Sequence, residues 1–365
     1  MKIVTVVGAR PQFIKVSSVS REICRRVAGG DSIREVIVHT GQHFDANMSR
    51  IFFDEMGIPK PRYNLNVGGT SHGAMTGKMI EKLEEVLILE KPDIVLLYGD
   101  TNSTLAGAIV ASKLNIRIAH VEAGMRSFNW SMPEEKNRVL TDRVSQLLFC
   151  STETAMVNLE QEGIANWGNQ VLALLSGDVM MDSALYYRET AIRPEGNVPD
   201  SDYILCTIHR AENTDQESRL IEILAALSKI SVDKTIVLPV HPRTRAILEN
   251  YASIAPKLIL LPAVGYLNMV WLLKHCEMVI TDSGGLQKEA FFFEKPCITL
   301  RNETEWVELV DNGFNFLSGA SSAKILDVYH NAEFNSDFEI DLYGTGNASA
   351  VIVDNLVSYC TKNPG

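Results

Sequence analysis

Carboxylates and guanidinium groups crowd the stretch HVEAGMRSFNWSMPEEKNR, residues 120–138, where Glu122, Glu134 and Glu135 stand with Arg126 and Arg138. Carboxylates gathered around one carbon can remove a proton and return it, while guanidinium groups hold carboxylates or bind phosphate. An ion-paired loop explains any one of these residues equally well, so the rest of the chain has to decide. Comparable clusters follow other apolar runs. Arg10, Pro11 and Gln12 follow VVG, with Lys15 a turn later; Asp100 and Thr101–Thr104 follow VLLYG. His209, Arg210 and Asn213 follow ILCTI, and His241, Pro242 and Arg243 follow IVLPV. Asp282, Ser283, Gly284 and Gly285 follow MVIT, ahead of Gln287 and Glu289. Taken singly, Asp100 reads as a helix cap and His209 as a core histidine. Ligands of open α/β sheets bind beyond the carboxyl ends of the strands, and the repetition of polar groups at these ends predicts a cleft.

TDSGG before a helix is the strongest phosphate signal, because glycines let backbone N–H groups approach an anion at a helix start. GARPQFIK after the first strand has neither the glycine spacing of a dinucleotide site nor the Gly-Lys-Ser/Thr of a P-loop.

The elements that must position these residues are short β-branched runs alternating with longer helical stretches. KIVTVVG (2–8), REVIVHTG (34–41), DIVLLYGD (93–100), RIAHVEAG (117–124) and LLFCST (147–152) read as buried strands. The alternation pauses over 174–202, which contains two prolines and reads as a linker, then resumes from YILCTIH. The chain therefore reads as α/β, with two similar halves at 1–172 and 173–346. A terminal helix at 347–361 is able to complete the first half.

A length of 365 residues fits two domains, and 46% hydrophobic with 22% charged residues fits a folded globular chain. A net charge of −11 speaks against a general nucleic-acid binder. The six cysteines are scattered without a C-x-x-C pair, so reduced buried thiols are expected and a metal site is not. The opening MKIVTVVGARPQ reads as a strand, not a signal peptide, and no apolar run is long enough to span a membrane. A cytoplasmic protein without a membrane partner is expected.

GARPQFIK, YGDTNSTLAGA, HVEAGMRS, PEEKNR, HRAEN, PVHPRTR, TDSGGLQKEA, RNETEW and YGTGNAS occur in this order. In these motifs, over nearly its whole length, the chain resembles the non-hydrolysing UDP-N-acetylglucosamine 2-epimerases. The resemblance implies two Rossmann-like domains in a GT-B arrangement, a UDP-sugar in the cleft between them, a homodimer, and no metal or other cofactor. It implies that the first domain carries the sugar-side carboxylates and the second binds UDP. Asp100, Glu122 and Glu134 would be the carboxylates at the sugar, with Glu135 structural or solvated. His209 would assist departure of UDP. Arg10, Ser283, Gly284, Gly285 and Glu289 would bind UDP, with Glu289 at the ribose. Lys15, Arg210, Asn213 and His241 would line the same site, and Arg138 would hold Glu134 or face the diphosphate.

Two departures point within the family. Gln12 stands where Glu is common, and TEWVE (304–308) where TERPE is common. These variants resemble a branch that includes epimerases of UDP-2,3-diacetamido-2,3-dideoxyglucuronic acid. Gln12 would remove a negative charge beside Arg10 and so favour an anionic sugar over UDP-GlcNAc. Gln42-His43-Phe44-Asp45 departs from the activator-site pattern of many bacterial members, and NVGGTSHG offers no arginine for it. A GT-B glycosyltransferase, a hydrolysing epimerase and a UDP-sugar sensor are the competing readings.

Overall fold

Runs of β-branched residues buried on both faces can only settle as central strands flanked by helices, and that is how the chain folds. The computed structural model describes residues 1–42, 53, 55–168, 171–240, 242–251 and 253–362. The chain divides into two units, Met1–Ser183 with Asp341–Gly365, and Ala184–Ile340.

In the first unit the described strands are β1 (Lys2–Val7), β2 (Arg34–His39), β3 (Tyr63–Asn64), β4 (Ile94–Tyr98), β5 (Arg117–Ala123), β6 (Leu147–Cys150) and β7 (Leu172–Leu175). They form a parallel sheet in the order β3-β2-β1-β4-β5-β6-β7. Val4, Val6, Val38, Leu83, Leu97 and Val110 fill one face of it. In the second unit β8 (Tyr203–Thr207), β9 (Thr235–Val240), β10 (Ile259–Pro262), β11 (Met278–Thr281), β12 (Cys297–Thr299) and β13 (Asn315–Leu317) run in the order β10-β9-β8-β11-β12-β13. Ile204, Cys206, Ile223, Leu238 and Ile280 are part of its core.

Both orders reverse direction once, between β1 and β4 and between β8 and β11. Such a switch point leaves a crevice at the strand ends because the flanking helices depart to opposite faces. The crevice ends are Gly8–Arg10 with Gly99–Asp100 in one unit, and His209 with Asp282–Gly285 in the other. Gly8 has no alternative here, since an added Cβ would lie 2.0 Å from Thr40 Oγ1 and 2.2 Å from Ser103 Oγ.

The division expected at 172/173 falls after Ser183 because β7 pairs with β6 and so belongs to the first sheet. The segment 174–202, read as a linker, contains the end of β7 and the helix Val179–Tyr187. The helix Ala348–Lys362 belongs to the first unit. It packs on the helix Arg10–Ala28, Arg26 pairs with Asp354, and Asp182 accepts hydrogen bonds from Ala348 N (3.0 Å), Ser349 N (2.7 Å) and Ser349 Oγ (2.6 Å). No described helix is long and apolar enough to cross a membrane.

Candidate active site

Glu122 ends β5 in an unusual conformation. Its φ is +69°, a left-handed value that side chains other than glycine rarely adopt, and the β5–β6 register slips around it between Val121 and Ala123. The bulge turns the carboxylate to Lys15, with which Glu122 forms a buried ion pair. Strain held in this way clusters at functional sites. Gly99 makes room for the pair. Its φ is +62°, and an added Cβ would lie 3.0 Å from Lys15 Nζ and 3.2 Å from Glu122 Oε2.

Asp100 follows Gly99 and pairs with Arg138. The Arg138 guanidinium is buried and also donates to Glu135 Oε2 at 2.9 Å. Asn137 Nδ2 donates to the Asp100 carbonyl at 2.9 Å. The helix Pro133–Val144 thus fixes the β4 end from both directions. Glu135 is structural: it is buried and accepts from Ser127 N, Ser127 Oγ and Phe128 N at 2.9–3.0 Å. Arg138 thereby bridges Asp100 and Glu135. Glu134 is exposed in the first turn of the helix and makes no ion pair with a described residue. Arg10 is half-buried at the start of the helix Arg10–Ala28.

Gln12 is a structural link within the first unit. Its side chain is 1% exposed and capped on all sides. Oε1 accepts from Gly8 N (2.8 Å) and Ala9 N (3.0 Å), while Nε2 donates to Tyr98 O (2.9 Å) and Thr104 Oγ1 (3.0 Å). It joins the β1 and β4 ends.

In the second unit one carboxylate organises the strand ends. Asp282 is wholly buried and accepts from His209 N (3.0 Å), Arg210 N (3.0 Å) and Asn213 Nδ2 (3.2 Å). His209 Nδ1 lies 3.1 Å from Asp282 Oδ1, on a side chain that is 53% exposed. The contact places the Nδ1 edge of the ring against the carboxylate. Arg219 in turn holds Asn213 Oδ1 at 2.9 Å. Arg210 is half-buried, and its side chain pairs with no described residue.

Ser283 caps the helix Gly284–Phe292, so Gly284 and Gly285 present their N–H groups at its positive end. An added Cβ on Gly284 would sit 3.0 Å from Glu305 Oε1, which keeps this turn bare. Trp306 of the TEWVE segment is buried beneath it. Its Nε1 donates to Gly284 O at 2.9 Å, and Lys288 Nζ lies 3.9 Å above its ring. Glu289 is buried further along the same helix. His241 lies outside the described residues, as do residues 43–45 of the activator comparison. Gln42 accepts from Ser103 N (3.0 Å) and Ser103 Oγ (2.7 Å).

The cysteines take no part in this chemistry. Burial pushes the Cys276 and Cys297 thiols up to about 12, and Cys150 and Cys206 up as well. Sequence reasoning gave no role to Asp282, although it stands in the quoted TDSGG. It also missed His120 and Asp142, a buried pair behind Glu122. His120 is two residues before Glu122 on the strand, and Asp142 is one turn after Arg138 on the helix, a spacing that could have drawn attention to both.

A family model described as UDP-N-acetylglucosamine 2-epimerase matches residues 25–357. A Pseudomonas aeruginosa protein named UDP-2,3-diacetamido-2,3-dideoxy-D-glucuronate 2-epimerase is 51% identical over 359 residues, 98% of this chain and 99% of that one. A Methanococcus maripaludis UDP-N-acetylglucosamine 2-epimerase homolog is also 51% identical, over 98% of this chain and 99% of its own. The crystal structure of Methanocaldococcus jannaschii UDP-GlcNAc 2-epimerase in complex with UDP-GlcNAc and UDP matches with a TM-score of 0.87 at 40% identity, covering 98% of this chain and all of the other. The chain belongs to the UDP-N-acetylglucosamine 2-epimerase family, a family of isomerases.

Proposed function

We propose that the chain inverts C2 of a UDP-2-acetamido sugar, with UDP-2,3-diacetamido-2,3-dideoxyglucuronic acid as the substrate and its manno epimer as the product. The observation that carries the reaction is the placement of Glu122, paired with Lys15, and Asp100, paired with Arg138, at the adjoining ends of β5 and β4. The proton on C2 is not next to a carbonyl, so it leaves only as a neighbouring bond breaks. A carboxylate takes it, the C2 electron pair forms the C1–C2 double bond, and the C1–O bond electrons depart with UDP. UDP then adds back to the bound 2-acetamidoglycal, and C2 receives a proton on the opposite face. Proton transfer on both faces calls for more than one carboxylate. Glu134 is the third we assign to this work.

The departing diphosphate needs donors rather than carboxylates. Ser283, Gly284 and Gly285 at the helix start, Arg10, Arg210 and His209 are proposed for it, with Glu289 at the ribose and Lys15, Arg138, Asn213 and His241 in support. His209, oriented by Asp282, acts as acid or electrostatic stabiliser when UDP leaves. The 51% identity with the P. aeruginosa protein, against 43% with the M. jannaschii UDP-GlcNAc 2-epimerase, supports the diacetamido uronate. The M. maripaludis homolog, equally identical, supports UDP-GlcNAc as the second reading. The family likeness also supports a homodimer.

The test is to incubate the protein with each sugar in D2O. Deuterium at C2 of product and recovered substrate, without accumulation of free UDP, is the expected result. Epimerisation with C2 protium retained rejects the elimination route, and steady release of UDP makes the protein a hydrolysing enzyme. The ratio of kcat/KM values decides between the sugars.

A further inference from the structure

Behind the strand ends of the first unit runs a buried polar chain that the proposed reaction does not use. His120 on β5 and Asp142 on the helix Pro133–Val144 are both wholly buried. His120 Nδ1 lies 2.7 Å from Asp142 Oδ1, and Nε2 lies 2.7 Å from the Gly99 carbonyl oxygen. The other Asp142 oxygen accepts from Gly124 N at 3.1 Å and Arg126 Nη1 at 2.8 Å. Arg126 continues to Glu162 through Nε at 2.6 Å and Nη2 at 2.9 Å.

A carbonyl oxygen can only accept, so Nε2 must carry a proton. Gly124 N and the Arg126 guanidinium donate to Asp142, which keeps it ionised, so Nδ1 must carry one too. Burial alone would push the Asp142 carboxyl up, but the His120 and Arg126 contacts outweigh it and hold it below its usual range. With a charged His120 the cluster alternates as cation, anion, cation, anion along His120, Asp142, Arg126 and Glu162. Glu162, exposed at the far end, carries the last of these charges at the surface.

The chain also grips the proposed catalytic carboxylates. Glu122 is held in its left-handed conformation by anchors two residues to either side, the His120 ring and Gly124 N, both on Asp142. Through Gly99 the same ring holds the strand end that carries Asp100. We infer that His120 is a buried imidazolium that, with Asp142, acts as a positioning pair setting the separation of Asp100 and Glu122; this rests on the reading that those two carboxylates act at C2.

The test uses the full chain labelled with 15N-histidine. The eight histidines are distinguished by comparison with His120→Asn. His120 is expected to show two proton-bearing nitrogens in slow exchange at neutral pH, one facing Asp142 and one facing the Gly99 carbonyl. One bare ring nitrogen on His120 at neutral pH overturns the inference. If His120→Asn does not fold, the wild-type spectrum decides, since the absence of any slowly exchanging imidazolium also overturns it. In the folded His120→Asn and Asp142→Asn variants, kcat should fall on the order of 10²-fold, as for misplaced reacting groups. KM and UDP affinity should stay within about threefold, because ground-state binding is not at stake. A folded His120→Asn variant with near-normal kcat overturns the positioning role. If the wild type turns over neither sugar, the proposed function fails, and the nitrogen spectrum still decides the charge of His120.

Discussion

The two units share one strand order, yet they equip the switch point in opposite ways. In the first, three carboxylates are matched with cations: Glu122 with Lys15, Asp100 with Arg138, Asp142 with Arg126. In the second, a single buried carboxylate, Asp282, gathers backbone N–H groups and the His209 ring, while the helix start beside it offers N–H groups to solvent. The same topology thus yields one crevice suited to moving protons and another suited to receiving an anion. The polarity of a crevice is set by the few residues after each strand, not by the sheet.

The sharpest way to break this contrast is to neutralise the first unit's carboxylates. Asp100→Asn, Glu122→Gln and Glu134→Gln should each lower kcat by roughly 10²–10⁴-fold, the usual weight of general acid–base catalysis. UDP affinity, measured by titration calorimetry, should stay within about threefold if the anion is held by the other unit. Near-normal turnover in any of the three removes that residue from the chemistry.

Asp282→Ala probes the other side. It orphans several donors at once, and unfolding in urea should show a loss of about 3–5 kcal/mol together with weakened UDP binding. Unchanged UDP affinity would separate Asp282 from the anion site. Gln12→Glu tests a smaller effect. Losing the Nε2 donors should cost about 1–3 kcal/mol of stability. Because the side chain is buried in a cap, the ratio of kcat/KM values for the two sugars should shift by less than about threefold. A large switch of preference towards UDP-GlcNAc would restore Gln12 as a determinant of sugar charge.

The smallest expected effect is an acid-side one. The Asp142 carboxyl is held below its usual range, so its pairing adds stability above the unfolded value of about 3.9 and loses it as pH falls through the folded pKa. The difference in unfolding free energy between wild type and Asp142→Asn should therefore shrink below about pH 4. A difference that grows on acidification would mean that Asp142 is protonated in the folded protein.

The alternation of β-branched runs with helical stretches made the α/β class legible, and the polar residues after each run marked the strand ends. What stayed hidden shares a physical reason. Tyr63–Asn64 and Asn315–Leu317 are too short for periodicity to register, and Leu172–Leu175 runs into the turn residues that suggested a linker. Asp282 and Asp142 drew no role, because nothing in a linear chain shows that a carboxylate will meet donors from elements far away in sequence. The His120 ring looked like part of an apolar strand for the same reason. Gln12 is a similar case: the sequence sets it beside Arg10, whereas its partners at Tyr98 and Thr104 come from another strand end.

The return of residues 341–365 to the first unit has a consequence for how the protein is made. A ribosome finishes the whole of Ala184–Ile340 before it synthesises the helix that packs on Arg10–Ala28 and donates to Asp182. The second unit is contiguous and can close as it emerges, whereas the first must wait with Asp182 and the apolar side of its opening helix uncovered. Vectorial synthesis here reverses the usual amino-to-carboxyl order of domain completion. The carboxylate-bearing half is then the one exposed longest to chaperones and proteases, and a stalled or truncated chain would carry a finished second unit beside an unfinished first.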